Sequence, residues 1–302
     1  MKNTFLPKLI SQSLLKFLKR KILIIFLFLT TLVFIGCFSD FHTKQKAKVT
    51  KEDKVWMNKF FQDFLLDSSG IYTVFGSKPM SSKEIIIASL EQWQSSAKNY
   101  INEDVDIGAL LNEVKIRYEE YDIYENWEKW ASWKKKNIKS MFQFSLRPTK
   151  DPHFFMAYII NTEEVIRTLQ EYHDLFRKEL KMEFDPKSAV LEFEDLSSIF
   201  WKKVLSNHYL CGILYGYGER NSYFFSYEMA HKNSFVKKSK PSPVNFHDVT
   251  MDNIKLPAFT SYSEAFEEDP ITIKYKKERE NIQAYLKDKN FLEEVLKKLS
   301  RN

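Results

Sequence analysis

The sequence predicts an α+β domain, mostly helical with a small antiparallel sheet of three or more strands, preceded by an N-terminal signal or anchor segment. Glycine is scarce, 7 residues in 302, which disfavours a turn-rich all-β architecture and favours helices joined by polar loops. Apolar residues recur at helical spacing over most of the chain, and three short β-branched or aromatic stretches read as strands. Near the start lies an apolar stretch of fifteen residues without a charge, Ile22–Gly36.

Residues 1–21 are basic and residues 22–36, ILIIFLFLTTLVFIG, are apolar. Fifteen residues fall short of the roughly 20 that cross a bilayer core and suit a secretory signal. The positive flank keeps the N-terminus cytoplasmic and sends the rest of the chain across. Lys2, Lys8, Lys16, Lys19, Arg20 and Lys21 account for the whole net charge of +6. Without those six, 40 basic residues face 40 acidic ones. The remainder is formally neutral, which excludes a polyanion such as nucleic acid as the partner implied by charge. The sequence therefore divides into a signal peptide or membrane anchor (1–36), a Lys-rich flexible tether (37–51) and a single globular domain (52–302).

Phe34-Ile35-Gly36-Cys37 resembles a bacterial lipobox. That resemblance implies a diacylglycerol on the Cys37 sulfur, cleavage before Cys37, and membrane attachment with the domain on the periplasmic (extracytoplasmic) side. Two or more acyl chains give lasting attachment where one holds weakly. The other reading is an uncleaved signal-anchor helix that ends at Cys37. Cys211 sits in the apolar run LCGIL and reads as a small buried hydrophobe.

Within the domain, Glu52–Leu66 reads as an amphipathic helix closed by Asp67-Ser-Ser-Gly70. Ile71–Gly76 (IYTVFG) reads as a strand, and Ser81 with Glu84 has capping-box spacing for a helix over Lys83–Ile101. Asp104–Ser140 reads as helical with a break near Tyr124–Asn126. Phe142–Leu146 and His153–Ile160 form an antiparallel strand pair. Thr162 opens a helix to about Met182, and Pro186 begins a short element. Asp195–Gly216 and Tyr223–His231 make a helical hairpin, Lys232–Thr260 is irregular, and Ile271–Leu299 is a lysine-rich helix broken at Asp288–Asn290.

Six aromatics, Tyr118, Tyr121, Tyr124, Trp127, Trp130 and Trp133, stand at intervals of three. Each is displaced ~60° around a helix from the one before, so they serve as two core stripes or as an aromatic platform for sugar rings or an apolar peptide. Gly216-x-Gly218 follows a helix, lacks a third glycine and reads as helix termination rather than a phosphate loop. Glu228-x-x-His231 has metal-site spacing but no second such pair, so no metal site and no cofactor is expected. Among the glutamates Glu219, at a helix end beside Gly218 and Arg220, is the weak candidate for a general acid, and a glycosidase would need a second carboxylate at set separation.

GILYGYGERNS and IYTVFGSKPMS resemble segments of uncharacterised lipoproteins and exported proteins of chlamydia-like intracellular bacteria. The resemblance implies location and no activity. The expected role is a membrane-tethered envelope lipoprotein that binds or scaffolds an envelope protein or cell-wall glycan without catalysis. The alternatives are an envelope glycan hydrolase and an uncleaved signal-anchored protein.

Overall fold

Alternation along three strands sets the layers of the fold. A computed structural model describes residues 49–86, 123–138, 140–151, 154–231, 254–262 and 268–300, all within the compact unit Val49–Asn302. The fold is α+β. In chain order the described elements are α1 (Lys51–Phe61), a π-helix (Gln62–Asp67), α2 (Ile71–Phe75), β1 (Met80–Ile86), α3 (Ile123–Asn137), β2 (Phe142–Pro148), β3 (Phe154–Asn161), α4 (Thr162–Glu171), α5 (His173–Leu180), α6 (Pro186–Leu191), α7 (Ile199–Ser206), α8 (His208–Leu214), α9 (Glu219–His231), α10 (Pro270–Leu286) and α11 (Phe291–Leu299).

The sheet has the order β1-β3-β2 and is antiparallel throughout. The expected pairing of β2 with β3 is present, with Phe144 opposite Ile159. Successive side chains on a strand point to opposite faces, and here both faces are covered. Phe142, Phe144, Ala157, Ile159 and Ile85 pack into one core with α1, α2, α3, α10 and α11. Met80, Tyr158 and Ile160 pack into the other with α4 to α8. A strand buried on both faces reads as a continuous apolar run, as FFMAYII in β3 does.

Two elements differ from expectation. Ile71–Phe75 is one turn of helix, not a strand. Ile71, Tyr72, Thr73 and Val74 are all buried in succession, and a short apolar run buried all round has no period that separates strand from helix. The third strand is instead Met80–Ile86, where a helix start was expected. Ser81 does not cap a helix: its hydroxyl lies 2.8 Å from that of Thr73, while Ser82 pairs opposite Tyr158 on β3. The rest of the expected helix, 87–101, lies outside the described residues.

Two expected long helices are each broken in the middle by one residue. Tyr172 separates α4 from α5. Asn207 separates α7 from α8 by adopting an extended backbone, with its side chain accepting from Tyr209 N and Leu210 N. Asparagine caps helices because its short amide competes with the helix for backbone donors. The break expected at Asp288–Asn290 is present between α10 and α11, where Asn290 caps α11. Among the described residues no helix is long and apolar enough to cross a membrane.

Candidate functional site

Lys78 is the least ordinary residue of the described chain. It follows α2 in the segment Gly76-Ser-Lys-Pro79, where Tyr72 O accepts from both Gly76 N and Lys78 N at 3.1 Å. That tight turn directs the Lys78 side chain inward, and only 2% of the residue is exposed. Gly76 is required here: a Cβ would stand 2.8 Å from Tyr72 O and strike the Glu278 carboxylate.

Lys78 Nζ donates to Ser81 Oγ at 2.9 Å. Ser81 Oγ in turn donates to Ser69 O at 3.2 Å. The amine also lies 5.4 Å from the ring centre of Tyr215 and 5.6 Å from that of Tyr217. No carboxylate among the described residues is salt-bridged to it. A lysine ammonium carries three donors, and Ser81 takes one. Burial without a counter-charge pushes the Lys78 amine down to about 7.

The turn after α8 builds the facing wall. Gly216 has φ +73°, Gly216 N donates to Ile213 O at 2.9 Å and Tyr217 N to Gly212 O at 3.0 Å. This is the double hydrogen bond of a Schellman helix end, so the Gly216-x-Gly218 segment terminates a helix as expected. The turn is held from outside by Tyr275 of α10, whose hydroxyl donates to Gly216 O at 3.1 Å. Tyr215 OH lies 2.7 Å from Ser82 Oγ on β1, and the Tyr217 ring stacks on Phe259 at 5.3 Å. Burial raises the phenols of Tyr215 and Tyr217 above the usual tyrosine range.

Gly216→Ala is expected to cost about 2–3 kcal/mol in urea unfolding, from left-handed strain plus overpacking. An added Cβ would lie inside the contact shell of the Tyr275 hydroxyl.

The third wall is the segment 254–262, pinned by buried polar contacts. Asn221 Oδ1 accepts from Tyr262 N at 3.0 Å. Asn221 Nδ2 and Ser261 Oγ both donate to Asp269 Oδ2, at 3.0 and 2.8 Å. Between the three walls lies a cleft of about 460 Å³ lined by Lys78, Ser82, Tyr215, Tyr217, Phe225 and Phe259, with Ser68, His208, Cys211 and Thr260 among its other walls. None of the described residues that line it is acidic. Its volume and its mix of rings with a few polar groups suit a small ligand.

The other candidates fall elsewhere. Cys211 is on the cleft wall but donates to Val204 O at 3.3 Å, and burial pushes its thiol up to about 12. It is the expected small buried residue, inert at neutral pH. Glu219 is exposed at the start of α9, accepts from Tyr209 OH at 3.1 Å, and does not line the cleft. Glu228 accepts from Tyr262 OH at 2.6 Å, and His231 stacks on Tyr227, so the two do not converge on a metal. No cluster of metal-ligating side chains occurs among the described residues.

Two of the six aromatics at intervals of three lie in the core. Trp127 and Trp130 are buried at 5% and 0% exposure, packed against Phe60, Phe61, Phe64 and Phe144. Trp133 is partly buried and stacks on Trp130 at 5.7 Å. A helix that closes one side of a sheet turns its large rings into the core, because that is where they bury the most area. Tyr118, Tyr121 and the side chain of Tyr124 lie outside the described residues, as does Cys37.

Lys78 had no signal of its own in the sequence, where a lysine reads as a solvated cation. The indirect signal was the pair of distinctive segments. IYTVFGSKPMS supplies Lys78 and its acceptor Ser81, GILYGYGERNS supplies Tyr215 and Tyr217, and the two segments meet at this cleft. The site thus defines an α+β domain with a buried-amine cleft. The chain matches no family model, no curated protein and no solved structure.

Proposed function

We propose that the protein is a membrane-tethered, non-catalytic binding protein that takes a small molecule in the Lys78 cleft. Cys37 and the apolar segment before it hold the domain on the extracytoplasmic face of an envelope membrane. The observation that carries the ligand-binding reading is a buried amine on the wall of an aromatic cleft, with no carboxylate among the described residues salt-bridged to it. A catalytic glycan hydrolase would need two carboxylates across a cleft, and the described cleft wall has none. Tyr215 and Tyr217 present apolar faces to a ligand, while Ser82 and Thr260 offer polar contacts at the edge.

Binding is tested on the full chain in detergent by fluorine NMR with fluorotyrosine incorporated. The Tyr217 resonance is identified by its loss in Tyr217→Phe. Small aromatic fragments such as benzoate, benzyl alcohol and indole are expected to shift that resonance. Absence of a shift with every fragment would overturn the reading.

The tether is tested by labelling with radioactive palmitate. Wild type is expected to incorporate label and Cys37→Ala to lose it. Equal labelling of both would end the lipoprotein reading, and no label in either would leave the uncleaved anchor as the mode of attachment.

A further inference from the structure

We infer that the ligand of the Lys78 cleft is a small organic acid whose anionic oxygen seats on Lys78 Nζ and whose unsaturated body lies along Tyr217 and Phe259. The inference rests on the reading of the cleft as a ligand seat and adds the chemical class. The geometry is that of a half-completed ion pair. Lys78 is among the residues that line the cavity, and its Nζ is flanked by two rings of the same lining whose faces favour a cation. It has Ser81 Oγ as acceptor, where an ammonium needs up to three. An isolated charge in such a site is costly, and an anion that brings both opposite charge and acceptors relieves the cost. A neutral ligand leaves the donors unmet.

The surrounding charges agree with an acid. Asp67, next in the chain to Ser68 on the rim, is already engaged by Lys83 at 3.0 Å and Lys255 at 3.5 Å. His208 on α8 is the other nitrogen base on the wall, and it too is compatible with an anion. The body of the ligand is set by the rings: Tyr217 and Phe259 are stacked nearly parallel, 16° apart, and Phe225 is partly exposed at the mouth. A planar group extends such a stack.

An anion binds the protonated amine, so binding and protonation at Lys78 are linked. The other titratable groups on the cleft wall are Tyr215 and Tyr217 from the turn after α8, and Cys211 and His208 from α8; behind the wall, Tyr158 of β3 contacts Tyr215 and Tyr275 of α10 contacts Gly216. Burial lifts the four phenols, and it lifts the thiol to about 12. These groups hold their protons across the range in which Lys78 changes charge. His208→Gln serves as the control for the remaining one.

The test is calorimetric titration of the full chain in detergent with benzoate and with its neutral analogue benzyl alcohol, at about pH 6 and about pH 8.5. At the lower pH benzoate is expected to bind more tightly than benzyl alcohol by on the order of tenfold or more, the weight of one charge-assisted contact. Above about pH 7, where the free amine is neutral, benzoate affinity is expected to fall up to about tenfold per pH unit, with proton uptake on binding. His208→Gln should keep that dependence. Lys78→Met should bind the two probes alike, and its retained affinity for benzyl alcohol shows that the cleft is intact.

Equal affinity of wild type for both probes overturns the acid inference and leaves the ligand seat standing. A benzoate preference that survives in Lys78→Met overturns it as well, since the anion is then held elsewhere. Failure of both probes to bind, together with unmoved Tyr217 fluorine signals, overturns the seat itself.

Discussion

Lys78→Met makes the ligand-free protein more stable at neutral pH, and the gain disappears in alkali. The sign follows from the two titrations. In the unfolded chain the lysine titrates near 10.5, and in the fold burial brings it down to about 7. Between those values the unfolded chain holds a proton that the folded chain lacks, so wild-type stability rises with pH across the window. Below about pH 7 both states are protonated and the full penalty of the buried charge is present, on the order of 5 kcal/mol. Methionine matches the length of the stem and carries no charge. Ser81 keeps its contacts with Thr73 and Ser69, so little is lost when the Nζ donor goes. Urea unfolding at about pH 6 should show the variant more stable than wild type by a few kcal/mol. By about pH 10 the two curves should converge. A wild type whose stability does not rise over that window contradicts the burial of an uncompensated amine.

The largest loss is expected at Trp130. Its ring lies 4.8 Å from Phe61 and 5.3 Å from Phe144, both edge-to-face, and is stacked on Phe60 at 6.1 Å and Trp133 at 5.7 Å. It is fully buried where α3 closes the sheet face. Trp130→Ala should cost about 3–5 kcal/mol through lost transfer energy and the cavity left behind. The indole nitrogen is hydrogen-bonded to no described side chain or carbonyl. Trp130→Phe should therefore cost well under half as much, since it keeps most of the ring area and surrenders no polar contact. The discriminating control is the pH slope: both Trp130 variants should keep the wild-type rise above neutrality, because the Lys78 cleft is built from other elements. Equal losses for alanine and phenylalanine would contradict the packing account.

The parts of the fold that were legible share one property. Their signal is local and long enough to have a period or a cap. The strands at FQFSL and FFMAYII, the acidic helix start after Asn161, and the break before Asn290 all read correctly from neighbours a few residues away. Ile71–Phe75 did not, because four successive buried residues carry no period. Met80–Ile86 did not, because Ser81-x-x-Glu84 fits a capping box and also fits an alternating strand. Pairing with β3, decided by residues near position 157, selects the strand. Propensity is a weak prior against such a contact.

The site was less legible for the same reason. Nothing near Lys78 in the chain says that it is buried. Its walls come from residues 215–217 and 258–260, brought in by the Schellman turn and by the Asn221–Asp269 network. The aromatic run at Trp127–Trp133, conspicuous in the sequence, turned out to mark the interior, and the inconspicuous lysine marks the cleft. Charge arithmetic had already removed nucleic acid as the partner implied by basicity. The same arithmetic, applied to one cleft instead of the whole domain, points to an acid of low molecular weight.

The most direct measurement is the titration of Lys78 itself, by carbon NMR on full-length protein with labelled lysine. Its resonance is identified by its absence in Lys78→Met. The account predicts a midpoint at about 7 in the free protein, moving upward when benzoate occupies the cleft. A midpoint in the free protein near the ordinary lysine value of about 10.5, unmoved by benzoate, would contradict it.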